Sequence, residues 1–93
     1  MRITFDPIKR DLTLQVRGLD FADAETVFAG PTATIEDDRL DYGEIRYATA
    51  GFLEGRLVQI IWTPRDDSRR VISMRHVHAD EAALWRERMD RSR

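Results

Sequence analysis

The sequence predicts a small α+β domain: an antiparallel sheet of about four to five strands, with two N-terminal helices and one C-terminal helix. Three observations predict it. Apolar residues recur at helical spacing near both ends, at Ile8, Leu12 and Val16 and again at Ala82, Trp85 and Met89. Between them, residues 46–75 alternate or run apolar in short stretches broken by turn residues, as strands do. Helices and strands also come in blocks rather than one by one, which favours α+β over a wound parallel sheet.

Arg2 to Phe5 reads as a short strand, since Ile3 and Phe5 alternate with polar neighbours. Asp6-Pro7 opens the first helix: Asp6 caps free N–H groups, and Pro7 suits a first helical position that needs no N–H. Ile8, Leu12 and Val16 give it one apolar face. Gly18 ends it in the left-handed cap conformation. Asp20 opens a second helix with Phe21, Ala24, Val27 and Phe28 as its buried stripe, stopped by Gly30-Pro31. Thr32 to Ile35 is a strand, and the acidic run Glu36 to Asp41 an exposed loop. Arg46 to Phe52 is a strand, turned at Leu53-Glu54-Gly55. Arg56 to Thr63, apolar on both faces, is a central strand. Pro64 to Ser68 makes a turn, and Arg69 to Arg75 returns. Asp80 and Glu81 begin the last helix, with Arg86, Arg88, Arg91 and Arg93 toward its C-terminal end, where cations suit the dipole.

With 93 residues the chain has room for one domain, spanning 1–93. It has no cysteine, which excludes disulfides, iron–sulfur clusters and thiolate zinc sites. The longest apolar run, Leu57 to Trp62, is too short to cross a membrane, and the N-terminus lacks a signal-peptide core. A cytoplasmic location is the expectation. The net charge of −2 hides a bias: residues 1–44 carry 5 basic and 10 acidic side chains, residues 45–78 carry 6 and 3. The basic middle uses only arginine, whose planar fork suits phosphate better than an ammonium does. A pI near 5.6 argues against broad, sequence-blind coating of nucleic acid.

There is no phosphate-loop glycine run, zinc-protease helix or nucleophile elbow. His76-x-His78 on a strand would point two imidazoles to one side, but no third ligand has a claim, so no metal is expected. The acidic loop lacks calcium-loop spacing and reads as solvated. The arginines carry the chemistry. Strict alternation from Arg69 puts Arg69, Val71, Ser73 and Arg75 on one face and Arg70, Ile72, Met74 and His76 on the other. Arg46 starts a nearby strand, and Arg65 lies in the turn leading in. Arg75, beside polar Ser73, is expected to face solvent.

Phe5-Asp6-Pro7-Ile8-Lys9, Gly18-Leu19-Asp20-Phe21 and Thr26-Val27-Phe28, then Gly43-Glu44-Ile45-Arg46-Tyr47 through Gly51, follow one another in a fixed order. Gly55-Arg56-Leu57, Thr63-Pro64-Arg65 and Arg70-Val71-Ile72-Ser73-Met74-Arg75 complete the series. In order and spacing this resembles the BrnT family of type II toxins, small ribonucleases with a RelE-like fold. Val16-Arg17 stands where the family usually reads Lys-His, and Leu40-Asp41 where it often has a histidine. The resemblance implies a metal-independent endoribonuclease without a cofactor, acting on RNA to block translation. It also implies a BrnA-like ribbon-helix-helix antitoxin. The two would form a heterotetramer that touches operator DNA only through the antitoxin. RNA cleavage needs cations for the phosphorane charge and an acid and a base. Arg46, Arg65, Arg70 and Arg75 are the expected cations; His76, Tyr47 and Glu44 are the acid–base candidates. The alternative is a toxin-fold binding module that has lost catalysis and serves as antitoxin partner and co-repressor.

Overall fold

A computed structural model describes residues 2–91, so the expected place of Arg93 in the last helix lies outside the described residues. The elements run β1 (Arg2–Phe5), α1 (Pro7–Arg17), a 3-10 turn (Phe21–Asp23), α2 (Ala24–Ala29) and β2 (Thr32–Glu36). Then come β3 (Tyr47–Leu53), β4 (Arg56–Arg65), β5 (Ser68–His76) and α3 (Ala79–Arg91). They form the expected α+β arrangement, with one difference of pairing. The five-stranded sheet has order β1-β5-β4-β3-β2, and β1 runs parallel to β5, so the sheet is mixed rather than antiparallel. The partner of β1 is the last strand, some 65 residues away, and a four-residue strand carries no local signal for that choice.

The α1 caps are as the sequence dictates. Asp6 accepts from the Ile8 N–H at 2.9 Å, and Gly18 takes φ 72° while its N–H reaches the Leu14 carbonyl. The second helix is split: Asp20 caps the 3-10 turn, and α2 proper starts at Ala24. Glu54 and Gly55 both have positive φ, the turn that matches strand twist in a two-residue hairpin. The next hairpin is tighter than expected. β4 continues through Pro64 to Arg65, and the turn is only Asp66-Asp67. Pro64 is tolerated near the strand end, where one missing donor costs little of the ladder.

Two layers cover the sheet. On one side Leu19, Phe21, Ala24 and Val27 pack on Val58, Ile60, Trp62, Val71 and Met74. On the other, Trp85 and Met89 of α3 pack on Ala33, Ala48, Ala50 and Ile61. A bulge in β5 sets which side chain faces which layer. Ile61 pairs with Ser73 and Trp62 with Val71, so Ile72 is the extra residue. Strict alternation therefore fails across Ile72: Val71 and Met74 both enter the α2 layer.

The apolar stripe of α1 is the other departure. Ile8, Leu12 and Val16 are 78%, 58% and 70% exposed, and no residue of the helix is buried. The helix sits on the sheet by its polar side instead. Arg10 bonds Asp20, and Arg17 donates to the Met74 carbonyl at 2.9 Å.

Candidate functional site

Arg69 and Arg70 show how β5 divides its cations. The Arg69 guanidinium lies 4.1 Å from the Phe28 ring centre and 5.2 Å from that of Trp62, within the α2 layer. Arg70 therefore points to the opposite, α3-bearing face, beside its cross-strand partner Thr63. After the bulge Arg75 returns to this same face, where it meets Gln59 and Glu81. The expected grouping of Arg75 with Arg69 is thus corrected: Arg70 and Arg75 share a face.

Three of the expected cations gather around Thr63. The Thr63 hydroxyl donates to the Ile45 carbonyl at 2.7 Å, which sets Arg46 beside it on β3's approach. Arg46 Nε donates to Glu44 Oε2 at 3.1 Å and Arg65 Nη2 to Glu44 Oε1 at 3.0 Å. Glu44 thus holds two arginines in one position, and Arg46 also covers the Tyr42 ring at 4.0 Å. Arg70 stands across Thr63, roughly 10 Å from Arg46 at two strand spacings. Among the described residues no hydrogen bond or ion pair holds Arg70, and none of its nitrogens is both buried and unbonded. It is a half-buried side chain whose guanidinium nitrogens still reach solvent.

Arg75 belongs to a second group, roughly 15 Å further along the strand. It is not open to solvent as expected. It donates to both Glu81 oxygens at 3.0 and 3.1 Å, to Gln59 Oε1 at 3.0 Å and to the His76 carbonyl at 3.1 Å. Glu81 also accepts from the N–H of His78, three residues before it, in half of a capping box that starts α3. Arg75 therefore ties α3 to the sheet at the floor of a cleft of about 370 Å³, whose walls include Asp37, Arg39, Trp85 and Arg88. Asp37 is buried and accepts from Arg39 Nε at 2.7 Å and Nη2 at 2.9 Å. The sequence reading missed Arg39 and Arg88. Asp37-x-Arg39 was a readable pair, whereas Glu81 three residues after His78 has a capping box's spacing without its Ser or Thr. Arg88 had no local signal.

His76 lies apart. Its cross-strand partner is Val58, in the α2 layer, so the imidazole faces away from the arginines. β5 ends at His76, so His78 is not a second strand histidine but caps α3. His78, Asp80 and Glu81 do bring ligand atoms within 4.8 Å of one another. Both Glu81 oxygens are already taken by Arg75, which leaves that group poorly suited to a cation. Tyr47 stacks on Trp62 at 5.0 Å, also in the α2 layer.

Partial burial first, and then the Arg56 cation, hold the His76 pKa below its ordinary value. The Arg10 bond lowers Asp20, the Arg39 bond lowers Asp37 and the Arg75 bond lowers Glu81. In each case the unfolded chain binds protons more readily than the fold, so stability rises with pH. The melting temperature is expected to fall in two steps on acidification: from about pH 6.5 through His76, and below about 4.5 through the carboxylates. His76→Gln should remove the upper step alone in a series of melts from pH 7 to 3; an unchanged upper step would rule His76 out as its source.

The fold and this face together define a small α+β domain that presents guanidinium groups from one side of a mixed sheet. Among the described residues no helix is long and apolar enough to cross a membrane. The family model described as "Ribonuclease toxin, BrnT, of type II toxin-antitoxin system" matches residues 5–81. The chain belongs to the BrnT family, whose members are ribonuclease toxins of type II systems and so have an antitoxin as partner. No curated protein matches the chain.

Proposed function

We propose that residues 1–93 act as one toxin domain, a metal-independent endoribonuclease that blocks translation in the cytoplasm. A BrnA-like ribbon-helix-helix antitoxin neutralises it in a heterotetramer that contacts operator DNA through the antitoxin. The observation that carries the enzymatic reading is the group of Arg46, Arg65 and Arg70 around Thr63, with Glu44 inside it. Here the arginines take the non-bridging phosphate oxygens and the added charge of the phosphorane. As phosphate takes over one of its arginines, the freed Glu44 oxygen accepts the ribose 2′-hydroxyl proton while the 2′-oxygen attacks phosphorus, and the departing 5′-oxygen is protonated by water. Arg75 extends the cationic face along the strand. His76, on the other layer, is left outside this site.

Metal independence rests on the donor set: the one His/Asp/Glu group among the described residues has its Glu81 committed to Arg75. Purified protein should cut RNA equally well in excess EDTA and leave 2′,3′-cyclic phosphate ends. Loss of cutting in EDTA, restored by Mg²⁺ or Zn²⁺, would contradict this. The second reading, a binding module without catalysis, draws on the same carboxylates. Glu44 and Glu81 already pair with Arg46, Arg65 and Arg75 and offset two of their three charges. Growth arrest on expression without the antitoxin favours the enzyme; unimpeded growth with intact antitoxin binding favours the module.

A further inference from the structure

α1 wears its apolar stripe on the outside. A surface helix ordinarily turns such a stripe to the core, and here Ile8, Leu12 and Val16 run along about 12 Å of helix facing solvent. Beside the stripe is a groove of about 300 Å³ between α1 and β5, where Ile72 and Ser73 form the far wall. It lies along the outer edge of β5 past Val71, where β1 no longer pairs and β4 holds only the inner edge. Arg17 already covers the Met74 carbonyl there, so an added strand finds that acceptor taken. The groove is lined by two cations, Lys9 and Arg17, and by no carboxylate. Asp11, on the opposite flank of the stripe, is bonded to Arg10.

We propose that this stripe and groove seat an amphipathic helix of the antitoxin, apolar on one side and acidic along the edge that meets Lys9 and Arg17. The assignment rests on the toxin–antitoxin reading above. An amphipathic helix anchors itself through apolar side chains at i, i+3 or i+4 and i+7, and the exposed stripe of Ile8, Leu12 and Val16 offers it an apolar bed. A second copy of this chain packed antiparallel fits less well, since that two-fold would set the Lys9–Arg17 flank against itself. The arginine face is assigned above to RNA phosphate, whereas the α1 stripe has no occupant in that reading.

The test uses the full chain and its antitoxin purified from co-expression. Leu12→Glu and Lys9→Glu should each weaken binding tenfold or more, with unchanged melting temperature and RNA cleavage, since both residues lie on the outer turn of α1. Hydrogen exchange should show antitoxin-induced protection over residues 7–17. Binding within twofold of wild type for both variants would overturn the proposal, as would protection confined to residues 69–88. Should the wild-type chain itself not bind, the antitoxin reading fails first and takes this assignment with it.

Discussion

Arg70→Ala is expected to lower RNA cleavage at least a hundredfold while the melting temperature stays where it was. Removing a preorganised donor to a developing oxyanion costs on the order of 10²–10³ in rate. Removing a surface side chain that holds nothing changes stability by no more than about 0.5 kcal/mol. Arg70 stands on the Thr63 face, half-buried and without an internal partner among the described residues, so its loss should cost the phosphate contact and little of the fold. Its neighbour supplies the control. Arg69 is stacked on Phe28 and Trp62 in the other layer, so Arg69→Ala should lower the melting temperature and leave cleavage by the folded protein intact. Arg75→Ala differs again: it frees Glu81 and Gln59 and loosens α3, so a fall in activity there would mix chemistry with structure. If Arg70→Ala cleaves normally, the guanidinium group around Thr63 is not where phosphate sits.

The second large effect is structural. Phe21 is fully buried, edge-on to Phe5 with ring centres 6.0 Å apart, and lies beneath Val58 and Met74. Truncation of a buried Phe to Ala costs about 3–5 kcal/mol. A domain this small has roughly 5–15 kcal/mol in total, and tends to the lower end. At roughly 4–8 °C per kcal/mol, Phe21→Ala should lose somewhere between 12 and 40 °C, or fail to fold. Phe21→Leu, which keeps most of the volume, should cost less than about 1.5 kcal/mol. A drop of under about 5 °C for the alanine variant would mean that the 3-10 turn carries little of the core.

What could be read from the chain was whatever is local. Asp6-Pro7 and Gly18 bound α1 because caps depend on adjacent residues, and Glu54-Gly55 placed a hairpin for the same reason. The stripe at 8, 12 and 16 was visible as a period. A period gives a face, however, and not the side on which the rest of the molecule lies, so its exposure was not visible. The bulge at Ile72 likewise leaves no mark in composition, yet it moves Arg75 onto the face of Arg70. Residue type pointed to the arginines of the candidate site. Their carboxylate partners were less legible, because Glu44 and Glu81 arrive from a loop and a helix that only the tertiary fold brings to the sheet.

The central claim, that RNA phosphate sits on the Thr63 face, can be read directly from amide shifts on adding a short RNA carrying 2′-O-methyl groups, which binds but has no attacking hydroxyl. The account predicts shifts at Arg46, Thr63, Arg65 and Arg70, fading toward Arg75, with α1 unmoved and the response lost in Arg70→Ala. Shifts confined to α1, or to the layer of Arg69, Phe28 and Trp62, would contradict it.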